Sequence, residues 1–165
     1  MDVDLGMLLI RFALGPMLVL HGGNKIWGAG GLAGTAGWFE GLGLRPAAVH
    51  ARAAAVTEIV AGVLLALGLL TSFACAAFVG LMLVATLTDH RGKGYFVFKG
   101  GWEYTVLVAM VSLGIAAAGP GEWSLDHALD LDVAGAWWAL GAAVAGAVSA
   151  GGLLAASYRP GLKAP

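Results

Sequence analysis

Five apolar runs, each long enough to cross the hydrocarbon core of a bilayer, constrain this chain more than any other feature. They lie at roughly 5–25, 47–70, 72–89, 102–118 and 133–157, between stretches of polar and glycine-rich punctuation. Only Leu70-Thr71-Ser72 separates the second from the third, which predicts a tight hairpin, and Gly119-Pro120-Gly121 stops the fourth. With 59% hydrophobic and 12% charged residues, the chain has too little polar surface to coat a soluble globule, so lipid is the expected solvent. The expected fold class is all-α, a transmembrane helix bundle forming a single membrane domain over residues 1–165. Its start, Met1-Asp2-Val3-Asp4, is acidic where a signal peptide is basic, so the first run is expected to persist as a helix.

Five crossings sort the loops onto two sides. One side carries the N-terminus, the 70–72 hairpin and the 119–132 loop, and has no Lys or Arg. The other carries Lys25, Arg45, Arg91, Lys93, Lys99, Arg159 and Lys163, which is seven of the nine basic residues. Arg11 and Arg52 fall within helices. The positive-inside rule then places the N-terminus outside and the C-terminus in the cytoplasm of a multi-pass cell-membrane protein, with Glu122, Asp126, Asp130 and Asp132 facing outward. A net charge of −1 without a basic stripe excludes nucleic acid as a natural partner.

Several motifs carry less than they promise. Gly28-Ala29-Gly30-Gly31-Leu32-Ala33 fits the GxGxxA dinucleotide pattern, but that pattern has meaning only between a strand and a helix; a flexible or close-packed loop leading to interfacial Trp38 and Phe39 is expected instead. Cys75 is the one cysteine, which excludes dithiol chemistry by this chain alone. The histidines His21, His50, His90 and His127 show no paired spacing for haem or metal, so no metal or intrinsic cofactor is expected. Small residues at Gly135, Ala139, Ala143, Ala147 and Gly151 form a ridge for close helix packing, within the bundle or against a second copy of the chain.

Ionisable groups inside the spans are the better lead, since a central charge costs about 2.5–3.5 kcal/mol on insertion scales and needs compensation. Counting about 1.5 Å per residue from the outer ends puts Arg11 at ~9 Å, Glu58 at ~18 Å and His21 at ~24 Å. Arg11 or His21 could therefore reach Glu58 from above or below, either as a register-fixing contact or as a mid-membrane polar pocket or proton relay. At the basic edge His21, Asn24 and Lys25 leave the first helix where Trp102, Glu103 and Tyr104 enter the fourth, which makes a Lys25–Glu103 ion pair geometrically cheap.

Arg11, Gly15-Pro16, His21-Gly22-Gly23-Asn24-Lys25, Trp38-Phe39-Glu40-Gly41-Leu42-Gly43-Leu44-Arg45-Pro46, Thr57-Glu58, Gly100-Gly101-Trp102-Glu103-Tyr104 and Gly119-Pro120-Gly121-Glu122-Trp123-Ser124-Leu125-Asp126, in that order, resemble the DoxX family of small membrane proteins. The resemblance covers about 7–127 and implies a four-helix core, to which this chain adds a fifth, C-terminal helix. It singles out Arg11, His21, Lys25, Glu58, Glu103 and Asp126. It also implies a role as a subunit or partner of membrane oxidoreductase systems linked to sulfur or oxidative-stress metabolism.

The expectation that follows is a bacterial inner-membrane subunit that anchors a redox partner, works among other protein subunits, and binds a quinone or similar lipophilic molecule. His21 and Lys25 would bond a quinone carbonyl, Glu58 and Glu103 would exchange protons with it, and Arg11 would position Glu58. A non-catalytic membrane scaffold or chaperone, recognised through its loops, stands as the alternative. A small-solute transporter fits less well, because no repeat is evident.

Overall fold

The computed structural model describes residues 2–161; Met1 and Lys163, both used above, lie outside them. In chain order the helices are α1 (Asp2–Trp27), α2 (Gly31–Leu42), α3 (Ala47–Leu67), α4 (Thr71–Leu87), α5 (Glu103–Ala118), the single turn α6 (Leu125–Ala128) and α7 (Ala136–Ser157). A 3-10 turn at Val97–Lys99 interrupts the connection from α4 to α5. Among the described residues there is no strand, only an isolated bridge between Leu44 and Tyr158. The five apolar runs are α1, α3, α4, α5 and α7. By length and composition α1, α3 and α7 can cross a membrane; α4 and α5, at 17 and 16 residues, are shorter apolar helices. At ~1.5 Å per residue the two short ones reach about 25 Å, near the lower limit for a span.

Close helix contact explains much of the glycine. α1 and α3 run antiparallel and nearly touch backbones: a Cβ at Gly15 would lie 2.6 Å from the Gly62 carbonyl oxygen, and one at Gly22 would lie 2.7 Å from that of Ala55. α7 lies across α4 in the same way, where a Cβ at Gly146 would meet Val79 at 2.7 Å. Without a hydrophobic drive between helices in lipid, such approach supplies the dispersion contacts that hold a bundle together. The face of α7 that packs is Ala142, Gly146 and Ala150. This corrects the expected ridge, since Ala147 and Gly151 are exposed and a Cβ at Gly151 would meet nothing within 4 Å. In a helix this rich in Ala and Gly, two frames one residue apart look alike in sequence.

A larger correction concerns 21–46. The glycine-rich stretch expected as a loop contains α2, a helix that folds back beside α1 and α3. Thr35 Oγ1 donates to the Lys25 carbonyl at 3.2 Å, and Phe39 is buried with Leu44 and Ala51. Glycine's poor helix propensity hides the element, and burial of Phe39 compensates for it. Trp38 remains 47% exposed, in keeping with an interfacial ring.

The ends of the bundle are distinct. At one, Arg45 N donates to Ser157 O at 2.9 Å and Arg159 N to Gly43 O at 2.7 Å, joining the end of α7 to the α2–α3 connection. Lys25, Arg45, Arg91, Lys93, Lys99 and Arg159 all belong to this basic end, where its acids are engaged locally: Glu40 with Arg45, and Asp89 with Lys93. The opposite, acidic end ties α1 to the segment before α7, with Glu122 N donating to Asp4 Oδ1 at 3.1 Å. Arg52 lies on an exposed side of α3 and donates to Ala48 O.

Candidate functional site

Two cation–carboxylate centres lie inside the bundle, and neither has the pairing expected from depth alone. At the acidic end, Arg11 is 1% exposed on the inner face of α1 and donates through Nη2 to the Trp123 carbonyl. Asp126, also 1% exposed, is near enough to act on it electrostatically. The Asp126 carboxylate accepts from Leu70 N at 2.7 Å and Thr71 N at 2.9 Å, so it caps the start of α4. Its own N–H donates to Gly68 O. Gly68, at φ 64°, has no space for a side chain, because a Cβ would collide with the Arg11 guanidinium. α1, the α3–α4 turn and the 121–126 segment thus meet around one arginine.

At the basic end Lys25 Nζ donates to both Glu58 oxygens, at 2.8 and 2.6 Å. Gly22 sits against Ala55 and Glu58, which brings Lys25, one turn further along α1, to the carboxylate. Arg11 therefore lies in the field of Asp126 without a direct ion pair, and not beside Glu58, while Lys25 pairs with Glu58 and not Glu103. Glu103 instead accepts from Val97 N at 3.0 Å on the exposed connection. The antiparallel register decides this: Arg11 is level with Gly68, ten residues or ~15 Å beyond Glu58.

A cavity of about 600 Å³ opens beside the Lys25–Glu58 pair, between α1, α2 and α3 on one side and α4, α5 and α7 on the other. His21, Lys25, Glu58 and Tyr104 line its polar part; most of its remaining wall is hydrocarbon, including Leu18, Phe39, Leu81 and Leu153. His21 Nδ1 contacts the Met17 carbonyl at 2.8 Å, which places the proton on Nδ1 and leaves Nε2 as an acceptor in the neutral ring. Its ring stacks near that of Tyr104, centroids 6.4 Å apart. Tyr104 Oη donates to Met17 Sδ at 2.6 Å, a weak acceptor that a better one would displace. Arg11, Glu103 and Asp126 do not line this cavity, and neither does Trp102, which packs edge-on against Tyr95.

Several wall residues were not anticipated as a group: His50, Thr88, Asp89, His90 and Ser149. His50 could have been found, since it precedes Ala54 and Glu58 by intervals of four on the same side of α3. His90 could not, because its ring is placed by a 2.6 Å contact from Nδ1 to Gly100 O across an irregular connection. Among the described residues no three His, Cys, Asp or Glu groups come together as a metal site. Cys75 is buried in the apolar core.

An uncharacterized membrane protein of Mycobacterium tuberculosis is 32% identical over 105 residues, covering 56% of this chain and 63% of that protein. The chain thus spans less than two thirds of that relative's length. No solved structure matches. The DoxX family signature matches residues 6–91, which run from α1 to just beyond α4 and include Arg11, His21, Lys25 and Glu58. On that match, this membrane protein belongs to the DoxX family.

Proposed function

We propose that this chain is a membrane subunit of an oxidoreductase system and binds a quinone head group in the basic-end cavity, with that end in the cytoplasm. One observation supports the reading above others: a largely apolar space of about 600 Å³ with Lys25, Glu58, His21 and Tyr104 gathered on one part of its wall. Its size lies within the ~300–1,000 Å³ typical of small-molecule sites, and apolar walls with a few convergent polar groups suit a ring with two carbonyls.

Lys25 has three N–H groups and Glu58 takes two of its bonds, leaving one for a quinone carbonyl. Tyr104 can turn from Met17 to donate to the same ring. Glu58 is the group positioned to take or give a proton as the quinone is reduced or reoxidised, a role now without Glu103 or Arg11. Electrons would come from a partner subunit, in sulfur or oxidative-stress metabolism as the family resemblance implies. The inward-facing basic end follows from the positive-inside rule, and reporter fusions at the 88–102 connection and the 119–135 connection test it.

The direct experiment is equilibrium binding of labelled ubiquinone and menaquinone to purified protein in nanodiscs. The proposal expects saturable binding that falls at least tenfold in Glu58→Ala and Lys25→Ala. Undiminished binding in both would remove these roles. Co-purification of a stoichiometric soluble protein without any quinone would favour a scaffold instead.

A further inference from the structure

A second, shallower cavity of about 250 Å³ lies between α3 and α4. Val56, Val60 and Leu64 form its α3 side, and Phe73 and Ala77 its α4 side. Thr57 and Ala77 line both cavities, so the deep one and the shallow one meet at a common stretch of wall. The polarity is divided between them. Every ionisable group is in the deep cavity, while Thr57 carries the one side-chain hydroxyl of the shallow one. Val56, Val60 and Phe73 are 57%, 51% and 64% exposed on the outer surface of an apolar bundle, where they meet lipid. From Thr57, at the midpoint of α3, the groove follows the helix for about 10 Å to Leu64, away from the basic end and toward the acidic end.

We infer that the α3–α4 groove holds the hydrocarbon tail of the molecule whose polar head occupies the deep cavity, and that this molecule enters sideways from the bilayer past Thr57 and Ala77. The inference rests on the head-group reading of the deep cavity and adds the class of ligand: an amphiphile with a compact polar head and a flexible hydrocarbon chain. A head held beside Lys25 and Glu58, with the deep cavity reaching on to the basic end, sends its tail the other way, along the apolar interior toward the acidic end. The groove leads that way from the shared wall, and its sides are Val, Leu, Ala and Phe. A water-soluble ligand arriving from the basic end would have no use for it.

The test compares two probes in the same nanodiscs, with affinity expressed per mole fraction in the bilayer: a tail-less dimethoxy-methyl-benzoquinone, and the same ring carrying two isoprenyl units. Wild-type protein is expected to bind the tailed probe at least tenfold more tightly. Val60→Trp, which fills the groove from its lipid side, is expected to remove that advantage and leave tail-less binding unchanged. Phe73→Ala, which takes away one side of the groove, is expected to act in the same direction; both positions are more than half exposed, so folding is not at stake. Equal affinity for the two probes in wild type, or an advantage that survives both substitutions, would overturn the groove assignment while leaving the head-group site standing. Failure of wild type to bind either probe would overturn both.

Discussion

The two ends of this bundle each bury a cation beside a carboxylate, and they differ in what surrounds the pair. Arg11 and Asp126 are each 1% exposed; Arg11 Nη2 and the Asp126 carboxylate bond backbone groups, Arg11 Nε and Nη1 are buried without a hydrogen-bond partner, and Gly68 closes the space around them. Lys25 and Glu58 retain 13% and 10% side-chain exposure and border a cavity. The first arrangement uses its charges to join segments of chain. The second leaves donor and acceptor capacity facing open volume. An intramembrane charge therefore marks a structural demand in general, and a binding site only where space adjoins it.

Arg11→Met is expected to produce the largest effect, because it leaves Asp126 buried without its counter-charge; breaking such a pair costs about 3–5 kcal/mol. Thermal unfolding in detergent should show a collapse of the folded fraction. Gly68→Ala should act in the same direction, since it forces the guanidinium aside at a positive-φ turn. If either protein unfolded like wild type, the contrast between the ends would disappear.

At the basic end the same chemistry should be gentler. Lys25→Met and Glu58→Gln are expected to destabilise by about 1–2 kcal/mol each, because water in the cavity can solvate the remaining partner. The double variant should recover part of that loss, as coupled residues do. Quinone binding should nevertheless fall in all three, a separation of stability from binding that the acidic end cannot show. Smaller still, Glu103→Gln should weaken only the cap on Val97 N, by about 0.5–1 kcal/mol, and leave quinone affinity unchanged.

The smallest effect is a titration. His127 Nδ1 meets Asp132 Oδ2 at 2.5 Å on the connection before α7, and that bonded carboxylate, with its charge, raises the imidazole pKa. The contact therefore contributes fully below the ordinary histidine range and is lost as pH rises through the raised value. NMR titration of His127 should show the elevation, and Asp132→Asn should abolish most of it.

Much of the fold is legible in the sequence because the hydrophobic runs leave few alternatives. The 47–70 run is α3 with its cap at Gly68, and the 102–118 run is α5. α2 is hidden, because Gly31, Gly34, Gly37 and Gly41 argue against a helix that the burial of Phe39 then secures. Within the site, the right residue types are visible from their cost in lipid, but their partners are not. Depth along one helix places Glu58 between Arg11 and His21 without saying that Gly22 packs on Ala55 and brings Lys25 to it. The cavity itself is a property of six helices, and no local pattern announces His90 or Ser149 as part of its wall.

The most direct test of the account is photo-crosslinking with an azido-quinone, followed by peptide mapping. Labels are expected on peptides containing His21–Lys25, Thr57–Glu58 or Tyr104, and excess unlabelled quinone should suppress them. Labelling that concentrates around Arg11, Gly68 and Asp126, or that resists competition everywhere, would contradict the claim that the basic-end cavity is the binding site.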